Sequence, residues 1–210
     1  KKLIKKHLIN MLFNKSFVLA STSKSRYYML KNVGLKFSKK KPTCNEEEKK
    51  KKLIKIKTTA KKISLELARL KAKSISDILK NRLVVGSDSI IQLDNKNLNK
   101  AKNKKEAERK IILLSGKKHF IYSSASVFFN GKEVWNSTQK TIVKIRKINQ
   151  KEVKKYVLKE GKDILGSVGC YQLEKSGPNI IEDISGDFFN VMGFPLFPFL
   201  KFLKKVKIKT

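Results

Sequence analysis

Two short apolar runs constrain the fold more than any other feature of the sequence. Each run ends in small polar residues and lies next to a segment with a helical pattern. Phe17–Ala20 leads into Ser21–Ser23, hydroxyl residues that suit the start of a helix ending at Gly34. Leu83–Val85 leads into the sequence GSDS at Gly86–Ser89. Strands that alternate with helices in this way favour the α/β class, with a mixed sheet flanked by helices.

Hydrophobic periodicity and turn signals predict the other elements. A long helix is predicted from about Leu53 to Asn81, and the charged stretch Pro42–Lys52 before it is predicted to be a solvated loop. Ile90–Leu93 is predicted to be a separate short strand. Asn130-Gly131 is a hairpin signal between two strand patterns. Further helices are predicted to begin near Asn103, Gln150 and Pro195, and a glycine-punctuated stretch, 161–193, separates the last two.

The 210 residues suffice for one sizeable core and contain no internal repeat or linker. We therefore predict a single α/β domain over residues 16–207, after an N-terminal extension, 1–15. Residues 1–10 precede Met11 and are expected to be an artefact of start-site assignment. Asn14 and Lys15 interrupt the apolar run that a signal peptide needs, and polar and proline residues interrupt Phe188–Leu203, the most apolar segment. We expect a cytoplasmic protein that does not span a membrane.

The net charge of +33 invites a nucleic-acid partner, because lysine-rich surfaces bind phosphate backbones without a particular fold. Only five of the 50 basic residues are arginines, and the lysines are scattered without a helix-turn-helix or RNA-recognition signature. Abundant Asn and Ile beside Lys suits genome-wide codon bias. We expect no specific nucleic-acid partner, although a basic nucleic-acid-binding protein without catalysis remains the alternative. Cys44 and Cys170 form no CxxC pair and are expected to be free thiols.

Two strand ends carry residues suited to phosphate chemistry. Ser21, Ser23 and Arg26 lie at a strand-to-helix turn, where backbone N–H groups, hydroxyls and a cation together suit a triphosphate. A serine-rich cap with a surface arginine explains them equally well. Asp88 follows a buried strand, where a carboxylate suits Mg²⁺ binding or proton abstraction from water, and an aspartate in a turn is the competing explanation. Glu46 begins a run of three glutamates that is also typical of a solvated loop.

Four ordered motifs resemble the signatures of the Maf family. The sequence LASTSKSR at Leu19–Arg26, followed by Gly34, resembles the family's LAS-x-S-x-x-R, helix and glycine. Gly86–Ser89 is similar to the GADT motif, and Leu113–His119 is similar to the LSG-x-x-H segment. The sequence GDFFNVMGFPL at Gly186–Leu196 resembles the ending G-x-x-x-x-V-x-G-L-P-L. The resemblance extends over residues 17–203, nearly all of the chain.

The resemblance implies a two-lobed, Maf/ITPase-like α/β fold with a nucleotide cleft between the lobes. It implies an enzyme, a nucleotide diphosphatase that converts a nucleoside triphosphate to nucleoside monophosphate and pyrophosphate, with non-standard or modified nucleotides among the candidates. It also implies a divalent cation, Mg²⁺ or Mn²⁺, and a homodimer. A regulatory role in cell division, which the family name implies, stays open as a second alternative.

Carried over position by position, the resemblance assigns roles within this cleft. Asp88 is implied to be the proton acceptor and, with Glu46, a metal ligand. Glu46, Lys71 and Lys100 are implied to act in catalysis, the two lysines by neutralising charge on the phosphates. The residues implied to bind substrate are Ser21, Ser23, Arg26, Ser89 and Glu174.

The chain departs from the family pattern at three places. Ser25-Arg26 stands where many members have two arginines, with Lys24 as the candidate to supply the second charge, and Asn99–Ala101 replaces Gly-Lys-Pro. Tyr171–Lys175 aligns with the glutamate variant of the family's Y-G-x-Q-G or F-K-x-E-G segment. An ionised glutamate only accepts hydrogen bonds, so Glu174 is predicted to favour a guanine-type base, with modified guanines included, over a pyrimidine. The alternative is that Glu174 faces solvent or binds metal.

Overall fold

The computed structural model describes residues 16–206 as seven strands with helices between them. The predicted N-terminal extension, residues 1–15, lies outside the described residues. In chain order the elements are β1 (Phe17–Ala20), α1 (Lys24–Asn32), β2 (Phe37–Lys40), α2 (Glu46–Lys55), α3 (Ala60–Ser76), β3 (Leu83–Leu93), β4 (Lys96–Leu98), α4 (Lys104–Leu114), β5 (Lys118–Phe129), β6 (Lys132–Ile145), α5 (Gln150–Glu160), β7 (Ile181–Ser185), α6 (Phe188–Val191) and α7 (Leu196–Lys205). Two short 3₁₀ helices, Asp163–Gly166 and Gly177–Ile180, lie between α5 and β7.

The strands form one mixed sheet in the order β2-β1-β3-β5-β6-β7, with β4 beside the second half of β3. β1 is parallel to both β2 and β3, whereas the pairs from β3 through β5 and β6 to β7 are antiparallel. Helices flank this sheet, as the α/β prediction requires. Within residues 16–206, no helix combines the length and the apolar character that a membrane span needs.

One edge of β3 changes its partner halfway along the strand. Val84–Gly86 pair with β1, whereas Ile91–Leu93 pair with β4. Because β1 ends at Ala20, no described strand covers this edge at Ser87–Ile90. The opposite edge of β3 remains paired with β5 along almost its whole length. The middle of β3 is therefore paired with β5 along one edge and not covered by a described strand along the other.

The prediction that Asp88 follows a strand was wrong, and so was the prediction of a separate strand at Ile90–Leu93. Gly86–Ser89 lies inside the continuous strand β3. The reason is the pairing with β5, which continues without a break from Leu83 to Gln92 and holds the polar residues in extended conformation.

The predicted solvated loop at Pro42–Lys52 is also wrong, because helix α2 begins at Glu46. Asn45 caps this helix by accepting a hydrogen bond from the backbone N–H of Glu48. The acidic first turn and lysine-rich last turn complement the helix dipole. The chain then breaks and restarts at the cap residue Thr59, so the predicted long helix consists of α2 and α3.

Other predictions are confirmed. Ser23 caps α1, and Gly34 beyond its end has a φ of 80°. The turn Asn130-Gly131 has positive φ angles at both residues and joins β5 to β6. Asn149 caps α5 within a capping box, and the helix ends before Gly161. The short elements β7 and α6 were not predicted.

Helix α3 lies unusually close to β3. A Cβ atom added to Gly86 would lie 2.2 Å from the carbonyl oxygen of Ala68 and 2.5 Å from the backbone nitrogen of Ala72. Only glycine permits this approach. The close contact places Lys71, which precedes Ala72 on the same helix, directly beside the open part of β3.

Two apolar clusters pack against the sheet near the open part of β3. One packs α1 and α7 against β1, β3 and β5, with Leu30, Val85 and Phe199 among its fully buried members. The other packs α4 and α5 against the far ends of β3, β5 and β6, and includes Ile111 and Val153. Elements from both clusters border the open part of β3.

Candidate active site

A cleft of about 1150 Å³ opens at the uncovered edge of β3. Every residue that the sequence analysis selected for the site lines this cleft: Ser21, Ser23, Arg26, Glu46, Lys71, Asp88, Ser89, Lys100 and Glu174. They come from the turn before α1, from α1 to α3, from β3, from the segment after β4 and from the loop before β7. The structure therefore brings together residues that are up to 153 positions apart, as roughly expected for a site assembled from several loops of one sheet.

Two serine hydroxyls shape the turn between β1 and α1. Ser23 caps α1, and its Oγ accepts a hydrogen bond from the backbone N–H of Arg26 at 3.3 Å. The Oγ of Ser21 accepts from the backbone N–H of Ser23 at 3.2 Å. Both hydroxyls thus bond within the turn and fix the N-terminus of α1 at the cleft, where helix N–H groups favour an anion.

Arg26 is buried and ties α1 to two other segments. Its Nε donates to the carbonyl oxygen of Gly193 at 2.8 Å, its Nη1 to that of Ser87 at 3.0 Å, and its Nη2 to the Oγ of Ser89 at 3.1 Å. Burial lowers the pKa of Arg26. These bonds use three of the five N–H groups of the guanidinium, so Arg26 both positions the open part of β3 and retains donors for a ligand.

Lys71 joins two carboxylates at the centre of the cleft. Its Nζ lies 2.7 Å from the Oε2 of Glu46 and 2.7 Å from the Oδ1 of Asp88, so these two oxygens lie within twice that distance of each other. It also approaches the carbonyl oxygen of Ser87 at 3.4 Å. The Lys71 side chain is only 8% exposed and that of Asp88 15%, whereas that of Glu46 is 41% exposed. The start of α2 is thereby connected to the middle of β3.

Lys100 adds a further positive charge to this cluster. Burial of its ammonium group against the cleft wall lowers its pKa, and the nearby charges of Arg26 and Lys71 lower it further, although the residue as a whole is exposed. Lys100 takes part in none of the ion pairs found within residues 16–206. Lys50 on α2 donates to the Oδ1 of Asn99 at 2.7 Å and so helps to position the Lys100 segment. A cation with other cations nearby is suited to an anionic ligand.

Gly193 and Asn190 organise the site, and sequence reasoning did not predict their roles. The carbonyl oxygen of Gly193 accepts hydrogen bonds from Arg26, Ser87 and Ser89, and its φ of 102° favours glycine. The buried Asn190 accepts from the backbone N–H of Ser123 at 3.1 Å and donates to neighbouring strands. Both residues belong to the GDFFNVMGFPL motif, which was selected by resemblance without a structural reason.

His119, the second residue of β5, is fully buried. Its Nε2 lies 2.6 Å from the Oη of Tyr171, a buried residue that also lines the cleft. Burial lowers the pKa of His119 to about 4 and raises the pKa of Tyr171. A neutral imidazole therefore anchors the beginning of the Tyr171–Lys175 segment.

Glu174 lies in that segment, on the cleft wall that faces α1. Its Oε1 accepts a hydrogen bond from the Oγ of Ser25 at 2.5 Å. The neighbouring Lys175 forms its ion pair with Asp163 and not with Glu174, and the side chain of Glu174 lines the cleft. Glu174 is exposed, so a ligand can reach it.

Two carboxylates, three cations and a helix N-terminus around one cleft of an α/β sheet define a class of protein that binds phosphate groups. The sequence model described as Maf-like protein matches residues 16–206. The chain belongs to the Maf-like protein family.

Named relatives extend this comparison. A 7-methyl-GTP pyrophosphatase of Bartonella quintana is 37% identical over 193 residues, which cover 92% of this chain and 96% of that protein. A nucleoside triphosphate pyrophosphatase of Caulobacter vibrioides is 32% identical over 186 residues, which cover 89% of this chain and 93% of that protein. A solved HAM1 protein from Coxiella burnetii matches with a TM-score of 0.40 and 14% identity over 62% of this chain and 72% of that one.

Proposed function

We propose that this chain hydrolyses the bond between the α and β phosphates of a nucleoside triphosphate, releasing nucleoside monophosphate and pyrophosphate. The observation that carries the proposal is the arrangement of Arg26, Lys71 and Lys100 beside the carboxylates of Glu46 and Asp88 in one cleft. Fixed cations stabilise the charge that develops on departing pyrophosphate. The pyrophosphatases named above, which are similar to this chain over about nine-tenths of its length, support the same reaction.

A divalent cation, Mg²⁺ or Mn²⁺, belongs to this proposal. Within residues 16–206, no group of three acidic, histidine or cysteine side chains surrounds one point. Glu46 and Asp88 nevertheless direct two oxygens to the same place, and Mg²⁺ is often held by one or two carboxylates together with substrate phosphates and water. These residues therefore fit an ion that shares its ligands with the nucleotide. When bound, such an ion would supply charge neutralisation at the phosphates and a lowered pKa of coordinated water.

The side chains have distinct proposed tasks. Asp88, held on a rigid strand and little exposed, accepts the proton of the attacking water. Lys100, Lys71 and the free N–H groups of Arg26 bind phosphate oxygens. The turn shaped by Ser21 and Ser23 presents the N-terminus of α1 to the same phosphates, and Ser89 holds the guanidinium of Arg26 in place.

We further propose that residues 16–207 act as a single catalytic domain, in the cytoplasm and as a homodimer, without a specific nucleic-acid partner. The family match over residues 16–206 supports the single domain, and the family resemblance supports the homodimer. Both cysteines, Cys44 and Cys170, are unpaired, which suits a reducing compartment.

The decisive test is an assay of nucleoside triphosphates with Mg²⁺ or Mn²⁺ in which pyrophosphate and orthophosphate are measured separately. We expect pyrophosphate and nucleoside monophosphate, and a requirement for the metal. Asp88→Asn should abolish most turnover while the protein stays folded, because the change is nearly isosteric but removes the charge. Asp183→Asn, at an exposed position on β7, is the matched control and should retain activity. Orthophosphate with nucleoside diphosphate as the only products would refute the proposal.

We further propose that the enzyme prefers a guanine-type base and that Glu174 determines this preference. Guanine offers N1–H and an exocyclic amine as neighbouring donors, which a carboxylate can accept together. Each charge-assisted bond contributes roughly 1.5 to 3 kcal/mol, so we expect a guanine-type triphosphate to be favoured over UTP by on the order of tenfold or more. The name 7-methyl-GTP pyrophosphatase, which the Bartonella relatives carry, supports this choice.

Glu174→Gln tests the assignment, because glutamine offers a donor as well as an acceptor. The quantity to measure is the ratio of kcat/KM for guanine and uracil triphosphates in both proteins. The ratio should fall in the variant. An unchanged ratio would show that Glu174 does not determine base specificity, even if overall activity changes.

A further inference from the structure

The ammonium group of Lys71 occupies the place between the two carboxylates to which the proposed function assigns a divalent cation. Its Nζ is in direct contact with Glu46 and Asp88 at 2.7 Å each. A metal ion bound by the same oxygens would lie within a few ångströms of this positive charge, where the two cations repel strongly. The ammonium and the metal ion are therefore alternatives for these oxygens.

We propose that Lys71 is a resident counter-ion that must leave Glu46 and Asp88 before a divalent cation binds there. This proposal rests on the proposed function only in its choice of metal ligands. It deepens that function because it assigns Lys71 two positions, one between the carboxylates in the empty enzyme and one at the phosphates when metal and nucleotide are bound.

The local structure permits such a displacement. The backbone of Lys71 is fixed, because α3 packs against Gly86 through Ala68 and Ala72. The ammonium, however, is carried on a flexible stem of four carbon atoms, and its third contact, to Ser87, is long at 3.4 Å. Only the side chain needs to move, and the cleft lies next to it.

The charges indicate what favours the replacement of the Lys71 ammonium group by a divalent cation. Without the ammonium, Glu46 and Asp88 are two negative groups held close together in a partly buried position, which favours a divalent cation. The displaced ammonium then needs an anionic partner, and the phosphates of the nucleotide supply one. Metal and nucleotide should therefore increase each other's affinity, since each removes part of the cost of moving Lys71.

The proposal predicts that removing the ammonium strengthens metal binding by the nucleotide-free protein. Lys71→Met keeps the length of the side chain without its charge. Mn²⁺ binding, followed by electron paramagnetic resonance, should be tighter than in the wild type by on the order of tenfold. Lys73→Met is the matched control, because Lys73 lies on the same helix, is exposed and pairs with Asp77. It should leave Mn²⁺ affinity unchanged. Equal or weaker binding by a folded Lys71→Met protein would overturn the proposal.

A second measurement uses the wild type and so does not depend on the folding of a variant. Lysines are labelled by reductive methylation with and without Mn²⁺, and labelling is measured by mass spectrometry. Lys71 should become more reactive when Mn²⁺ is present, whereas Lys73 should not change. Unchanged labelling of Lys71 at Mn²⁺ concentrations that bind would overturn the proposal. Neither readout requires turnover, so an inactive protein that shows both effects would refute the proposed function and leave the role of Lys71 intact.

Discussion

Protonation of His119 should make the folded state less stable in mildly acidic solution. His119 is fully buried, and burial lowers its pKa from 6.5 to about 4. In the unfolded chain the imidazole is hydrated and has its ordinary pKa. Between these two pKa values the unfolded chain binds a proton that the folded protein does not. The stabilisation linked to neutral His119 is therefore fully present above about pH 6.5 and is lost as the pH falls towards 4.

The size of the effect follows from the two pKa values. One pKa unit corresponds to about 1.4 kcal/mol, so the complete loss is about 3 kcal/mol. Between about pH 7.5 and about pH 5, where the folded protein remains almost unprotonated at His119, the loss is about 2 kcal/mol. This is a substantial part of the total stability of a typical domain, about 5 to 15 kcal/mol.

Urea unfolding at these two pH values measures the effect in the wild type and in His119→Gln. Glutamine does not titrate and can still hydrogen-bond to Tyr171. The only other histidine, His7, is present in both proteins, as are all carboxylates, so the difference between their pH dependences isolates His119. We expect the wild type to lose about 2 kcal/mol more than the variant. Equal losses would show that His119 is not held neutral by its surroundings, and the reasoning from burial would fail.

Gly86→Ala should destabilise the fold by about 1 to 3 kcal/mol or more in urea unfolding, because its Cβ would lie 2.2 Å from the Ala68 carbonyl and would push α3 away. Gly166→Ala, where an added Cβ meets nothing within 4 Å, should have little effect, and equal effects would contradict this packing argument. Binding to duplex DNA, measured by fluorescence anisotropy, should be weak, independent of sequence and quickly lost as salt rises. Tight, sequence-selective binding at physiological salt would instead favour the nucleic-acid alternative.

Local signals predicted most of the elements because the physical causes are themselves local. Ser23, Asn103 and Asn149 each cap a helix at the predicted place, since a cap needs only a side chain and the next few backbone N–H groups. Asn130-Gly131 likewise determines its turn through its own φ angles. These elements required no knowledge of distant residues.

The errors occurred where distant residues decide the structure. Gly86–Ser89 has the composition of a turn, and it is extended because β5 pairs with it. The lysine run at 49–52 has the composition of a loop, and it is helical because Asn45 and the preceding glutamates stabilise the start of α2. Neither β7 nor α6 has a strong pattern of its own, and both depend on β6 and β5.

For the site, the sequence predicts which residue types are present but not how they are arranged in space. The motifs selected side chains that line one cleft, but no spacing in the sequence shows that Lys71 would lie between Glu46 and Asp88. That contact depends on Gly86, because only a glycine there lets α3 come close enough for Lys71 to reach Asp88. It depends equally on the end of β1 at Ala20, because a longer β1 would cover the edge of β3 that the lysine approaches. The glycine and the short strand thus do as much to create the site as the charged residues within it.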